Sequence, residues 1–163
     1  MVRASEVMNS KPIFVSAETS VKDCVKILLE NNISGVPVVN NYNKVIGIVT
    51  VTDLIDKELH LHVPGVISFF KQSSFGNRSK KAENKAQSII CYKVDEVMTK
   101  NVISVMEDVD IDEVIEIIIE NNINMVPVIN KDKKLIGIIS RSDILNFIVN
   151  RNDDKIRSQN DHC

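Results

Sequence analysis

The chain has 163 residues, 44% of them hydrophobic, enough to bury the core of one compact domain or two small ones. A net charge of −2 with both signs interspersed leaves no basic stripe for nucleic acid, and no apolar run approaches the roughly 18 residues of a membrane span. Met1 to Glu6 hold no apolar signal core, and the three scattered cysteines (Cys24, Cys91, Cys163) form no C-x-x-C pair, so a reducing cytoplasm is expected and a disulfide or zinc framework is not.

The first expected element is a short extended piece, Pro12-Ile13-Phe14-Val15. Ser20 followed three residues on by Asp23 is close to a capping box and starts a helix. Val21, Cys24, Val25, Leu28 and Leu29 give that helix one apolar stripe. Asn31-Asn32 ends it, because Asn tolerates the left-handed conformation. Val36-Pro37-Val38-Val39 is a strand whose proline predicts an edge position or a strand start. Asn40 to Lys44 reads as a hairpin turn, and Val45-Ile46-Gly47-Ile48-Val49 as a continuously apolar, buried strand. A further helix is expected from about Thr52-Asp53.

Residues 58–92 form an insert or linker. Its first part, Leu59 to Phe70, is apolar, and Lys71 to Ser88 is polar and reads as a mobile loop. Its notable side chains carry little chemistry. His60 and His62 lack the further ligands a metal needs, and the basic residues Arg78, Lys80, Lys81 and Lys85 are interrupted by Glu83. Phe69, Phe70 and Phe75 are expected to pack over a cleft or a dimer surface.

The same grammar then returns. Val102 to Val105 is extended, and Asp110 with Glu113 starts a helix striped with Ile111, Val114, Ile115, Ile118 and Ile119. Asn121-Asn122, Val126-Pro127-Val128-Ile129, a turn at Asn130 to Lys134, Leu135 to Ile139, and a helix near Ser142-Asp143 follow. Ser5 to Asp56 lies over Asp95 to Asn146 without a gap, with about 19 of some 52 positions identical. Two copies are too few for a solenoid and predict a pseudo-twofold pair packed through its sheets. The fold class is α/β (α+β), with β-α-β-β-α repeats over 1–57 and 93–150 and a polar, fraying tail over 151–163.

The chemistry concentrates where each buried strand passes into a helix: Thr50-x-Thr52-Asp53 and Ser140-x-Ser142-Asp143. Hydroxyls beside free N–H groups at a helix N-terminus suit a phosphate, and an adjacent carboxylate can accept from both hydroxyls of a ribose. Ser, Thr and Asp are also ordinary N-cap residues, and two copies at one register favour the ligand reading. No Ser-His-Asp, Cys-His or paired-carboxylate arrangement stands in a catalytic context, so no enzyme activity is expected.

With Glu6-Val7-Met8 and Glu96-Val97-Met98-Thr99, the S/N-x-V-P-V strand starts and the two G-h-h-[S/T]-x-[S/T]-D segments, the chain resembles a tandem pair of cystathionine-β-synthase (CBS) domains, the arrangement called a Bateman module. The resemblance covers Ala4 to Asp56 and Lys93 to Val149. It implies a non-catalytic regulatory module that binds an adenosyl ligand: AMP, ADP or ATP, with S-adenosylmethionine or NAD as further possibilities. It implies crossed sites. Ser140, Ser142 and Asp143 would hold phosphate and ribose, with adenine against Ile13, Ile33 and Ile138 beside Ser34 and Gly35. In the other site Thr50, Thr52 and Asp53 take the polar role, with Ile48, Ile103 and Ile123 lining the base pocket beside Asn124 and Met125.

No basic residue stands at either strand start, so Arg141 or Lys11 would have to meet further phosphates. Met125, large where Gly35 is small, could crowd the site of Asp53 and favours Asp143 as the better-formed one. The resemblance also implies a homodimer through helix faces bearing Leu54, Ile55, Ile144 and Ile148. The alternative is a ligand-free dimerisation or protein-interaction module.

Overall fold

The structure, a computed structural model, describes residues 1–55 and 92–160, with side chains through Arg151. The element order is α1 (Ala4–Val7), β1 (Val15–Ser16), α2 (Val21–Glu30), β2 (Gly35–Val39), β3 (Val45–Thr50), α3 (Val94–Val97), β4 (Val105–Met106), α4 (Ile111–Glu120), β5 (Met125–Ile129), β6 (Leu135–Ser140) and α5 (Arg141–Asn160). A helical stretch over 51–55 follows β3. His60, His62, the phenylalanines at 69, 70 and 75, the basic residues between 78 and 85, Cys91 and Cys163 lie outside the described residues.

Packing divides the chain into two compact units that cut across the sequence repeats. One is Ile13–Val102; the other joins Met1–Pro12 to Ile103 onward. Each unit therefore holds the helix and three-stranded sheet of one repeat, and the short helix that precedes the other.

In the unit of the first repeat, Ser20 accepts the Asp23 amide (3.0 Å) and opens α2 as its N-cap. The apolar stripe Val21, Cys24, Val25 and Leu28 is buried against Val36, Val38 and Val49. Asn31 closes the helix and Asn32 turns left-handed at φ 51°, as the Asn pair predicts. Val94 and Val97 of α3, with Met98 that follows it, complete this core. In the other unit Asp110 caps α4 by accepting the Asp112 amide (3.0 Å), and Ile111, Val114 and Ile118 pack with Val126, Val128, Ile139, Ile144 and Ala4 of α1. Asn122 repeats the left-handed turn at φ 49°.

Several sequence expectations are corrected. The prolines do not mark edge strands: β2 and β5 are the central strands of their sheets. Pro37 pairs with Ile48, whose own amide and carbonyl bond to Thr99 on the far side (3.0 and 2.9 Å). Strand β1 reaches only Val38 and Val39, so the missing proline N–H leaves no ladder bond unmade. Pro127, Ile138 and Asn9 repeat the arrangement. The extended pieces begin later than expected, at Val15 and Val105, leaving Ile13 and Ile103 exposed. Strands β3 and β6 alternate in burial instead of being buried throughout.

The helices after β3 and β6 start at Val51 and Arg141, because Thr50 and Ser140 are the capping residues. Helix α5 runs to Asn160, past the expected boundary at 150, since no Gly or Pro interrupts it. Leu54 (2%) and Ile144 (7%) are core residues, not open helix faces. Helices α1 and α3 were not expected. Their signal was a glutamate at the third position: Glu6 accepts the Arg3 amide (2.8 Å) and Glu96 the Lys93 amide (2.9 Å).

Gly47 and Gly137 are where the short helices press closest. A methyl group at Gly47 would overlap the Met98 side chain, and one at Gly137 that of Met8. Both glycines admit a methionine onto the face of the sheet.

Candidate functional site

The end of β3 and the helix after it position Asp53. Its Oδ2 accepts from the Thr50 amide (2.9 Å) and the Thr50 hydroxyl (2.7 Å), while Thr50 Oγ1 accepts the Asp53 amide (3.1 Å). This reciprocal pair fixes the first turn and the carboxylate together. Thr99, following α3, donates its hydroxyl to Asp53 Oδ1 (3.3 Å). Thr52 is exposed beside this cluster. The other expected residues of this unit are Ile13 and Ser34, both exposed, Ile33 and Ile48, half-buried, and Gly35, buried opposite Thr50 in the ladder.

At the end of β6, Asp143 Oδ2 accepts from the Ser140 amide (2.7 Å) and hydroxyl (2.5 Å), and Ser140 Oγ accepts the Asp143 amide (3.3 Å). The residue corresponding to Thr99 is Asn9. Its backbone bonds to Ile138, but its side-chain oxygen accepts from the Lys11 amide (3.0 Å). Oδ1 of Asp143 has no partner among the described residues. Asp143 also lines a cavity of about 440 Å³ within this unit, formed with Val2, Glu6, Val7, Asn146, Phe147, Asn150 and Arg151. That is within the size range of small-molecule sites.

Arg141 is exposed, and its guanidinium is anchored: Nε donates to the Ile123 carbonyl (3.0 Å) and Nη2 to Asn122 Oδ1 (3.2 Å). It ties the start of α5 to the left-handed end of α4 and keeps other N–H donors for a ligand. The first repeat has Val51 here. Ser142, Asn124 and Ile103 are exposed and Ile138 half-buried. Met125 is 6% exposed, paired with Ser140 as Gly35 is with Thr50.

The structure thus gathers Thr50, Asp53 and Thr99 in one unit and Ser140, Arg141 and Asp143 in the other. Thr99 was missed as a neighbour of Asp53, and Asn9 as its counterpart on the backbone bridge. Their signal was present, because the repeats match through Glu-Val-Met and part company at the next residue. Among the described residues no group of three His, Cys, Asp or Glu could hold a metal, and no buried side-chain polar atom lacks a partner. No helix among them is long and apolar enough to cross a membrane.

Comparison with known proteins finds one family at two places in the chain. The family described as CBS domain matches residues 4–60 and 94–150. An uncharacterized protein of Methanocaldococcus jannaschii, MJ1426, is 27% identical over 146 residues, covering 85% of this chain and 87% of its own length. The chain spans only 22% to 49% of the length of four further curated relatives it matches. Among solved structures, the CBS domain pair of protein MJ0100, in complex with 5′-methylthioadenosine and S-adenosyl-L-methionine, superposes with a TM-score of 0.68 at 24% identity, covering 93% of this chain and 98% of that one. CBSX2 in complex with AMP gives a TM-score of 0.70 at 19% identity, covering 93% and 99%. Both show the shared fold.

Proposed function

The chain belongs to the CBS domain family, with two copies of the domain, and from that premise we propose that it is a non-catalytic regulatory module that binds an adenosyl nucleotide, AMP, ADP or ATP foremost. The observation that carries this reading is the Asp143 carboxylate. One oxygen is locked by the Ser140 amide and hydroxyl at the start of a helix, and the other has no partner among the described residues. Such a carboxylate can accept from a ribose, and the exposed Ser142 hydroxyl beside the helix N-terminus suits a phosphate. The proposal keeps the residue set named from the sequence, with Arg141 as the cation nearest in sequence to Asp143. That two proteins of this fold were solved with adenosyl ligands supports the ligand class.

Binding would regulate by favouring one of two states of the module, and its effect is bounded by the ligand's differential affinity for them. Isothermal titration with AMP, ADP, ATP, S-adenosylmethionine and NAD tests the reading. Micromolar binding of one of them, lost in Asp143→Ala with the fold retained by circular dichroism, is expected. Absence of binding by all five overturns it.

Self-association belongs to the same proposal. Leu145 (63%), Ile148 (41%) and Val149 (58%) of α5 are exposed apolar side chains that favour a homodimer or a protein partner. Sedimentation of the chain and of Leu145→Lys/Val149→Lys tests it, with the variant expected as monomer.

A further inference from the structure

The two carboxylates have unequal hydrogen-bonding capacity. A carboxylate offers about four acceptor positions, two on each oxygen. At Asp143, Ser140 fills both positions of Oδ2, and Oδ1 has no partner among the described residues. At Asp53, Thr50 fills Oδ2 in the same way, and Thr99 takes one of the two positions on Oδ1. A ribose presents two adjacent hydroxyls, each a donor. Oδ1 of Asp143 can accept both, whereas Oδ1 of Asp53 has room for one.

Resting on the nucleotide reading above, we propose that Thr99 is a specificity-determining residue: by occupying Asp53 it makes that site weak and blind to the ribose 2′-hydroxyl, while Asp143 reads the full diol. The repeats reach this difference through a single residue. Thr99 and Asn9 hold the same backbone bridge, to Ile48 and Ile138 respectively. Only the side chain differs, and Asn9 turns its oxygen back to Lys11. The Thr99 hydroxyl can therefore be removed without disturbing the ladder that carries it.

The test titrates the full chain with AMP and with 2′-deoxy-AMP. Asp53→Asn isolates the Asp143 site, and Asp143→Asn isolates the Asp53 site. At the Asp143 site, removing the 2′-hydroxyl is expected to weaken binding by about tenfold or more, the usual worth of a hydrogen bond to a charged group. At the Asp53 site AMP binds more weakly and the two ligands differ by less than about threefold. In the Asp143→Asn background, Thr99→Val should tighten AMP and restore the preference for ribose, and Thr99→Ser, which keeps the hydroxyl, should do neither.

If Thr99→Val leaves both affinity and preference at the Asp53 site unchanged, or if that site prefers ribose as strongly as the Asp143 site in the unaltered background, the inference fails and the nucleotide reading stands. If the unaltered chain binds no AMP, the inference falls together with AMP as the ligand.

Discussion

The Asp53 end and the Asp143 end are built by the same elements in the same register, and the side chains around the two carboxylates part company at a few positions. Thr99 faces Asn9, Val51 faces Arg141, and Gly35 faces Met125 across the repeat. The positions that form the two hydrophobic clusters, in contrast, vary only among aliphatic residues or between Cys24 and Val114. Packing tolerates exchanges of similar volume at small cost, so the repeats could drift there without losing the fold. Around the carboxylates the exchanges alter a hydrogen-bond count, a charge or, from Gly35 to Met125, a volume. The fold is therefore the shared property of the two halves, and the surroundings of the carboxylates are where they separate.

The largest expected effects test whether the cores are equivalent. Leu28 (1% exposed) and Ile118 (3%) occupy matching positions on α2 and α4. Leu28→Ala and Ile118→Ala should each cost about 2–5 kcal/mol, as buried truncations that leave a cavity do. Urea melts would check this, and a cost below about 1 kcal/mol for either would show that its unit repacks.

The next effect is confined to the first repeat. Burial pushes the Cys24 thiol up from 9.0 to about 11, and the second repeat has Val114 at that position. The folded thiol holds its proton where the unfolded one has lost it. Stability is untouched below pH 9 and falls as pH rises from about 9 to 11, by at most roughly 1.4 kcal/mol per pH unit. Cys24→Val, which borrows the residue of the other repeat, should flatten this part of the stability–pH curve relative to the unaltered chain. Other groups titrate in both proteins and cancel in the difference. Parallel curves would mean that the Cys24 thiolate is accommodated in the fold.

Much of this architecture was legible in the sequence, for identifiable reasons. The helices α2 and α4 announce themselves through a cap, a stripe of period 3.6 and an Asn pair, all local signals. The placement of Pro37 and Pro127 was misread because the rule against proline in central strands assumes a partner along its full length, and β1 and β4 are two residues long. The short helices α1 and α3 escaped notice because four residues show no periodicity, although Glu6 and Glu96 signalled their caps. The carboxylates Asp53 and Asp143 were found from the repeated motif. The Thr99 hydroxyl on Asp53 was not, since 46 residues separate the pair and only the fold brings them together.

The smallest effect concerns charge at the helix ends. Helices α2 and α4 both finish on a glutamate, Glu30 and Glu120, and neither has a basic residue in its last turn. A negative charge there opposes the partial negative charge of the terminal carbonyls, so a lysine should gain about 0.3–1 kcal/mol in isolation. The surroundings differ. Four residues before Glu30 stands Lys26, an attractive partner, and four before Glu120 stands Glu116, a repulsive one. Glu120→Lys therefore gains twice, from the helix end and from turning repulsion into attraction, and should raise stability by about 0.5–1 kcal/mol at low salt. Glu30→Lys gains at the helix end and loses the Lys26 pair, for a net change near zero. Both residues are exposed, so salt should erase the difference. Equal stabilisation by the two substitutions in thermal melts would show that the neighbouring charge contributes nothing, and that the repeats behave alike wherever their side chains face water.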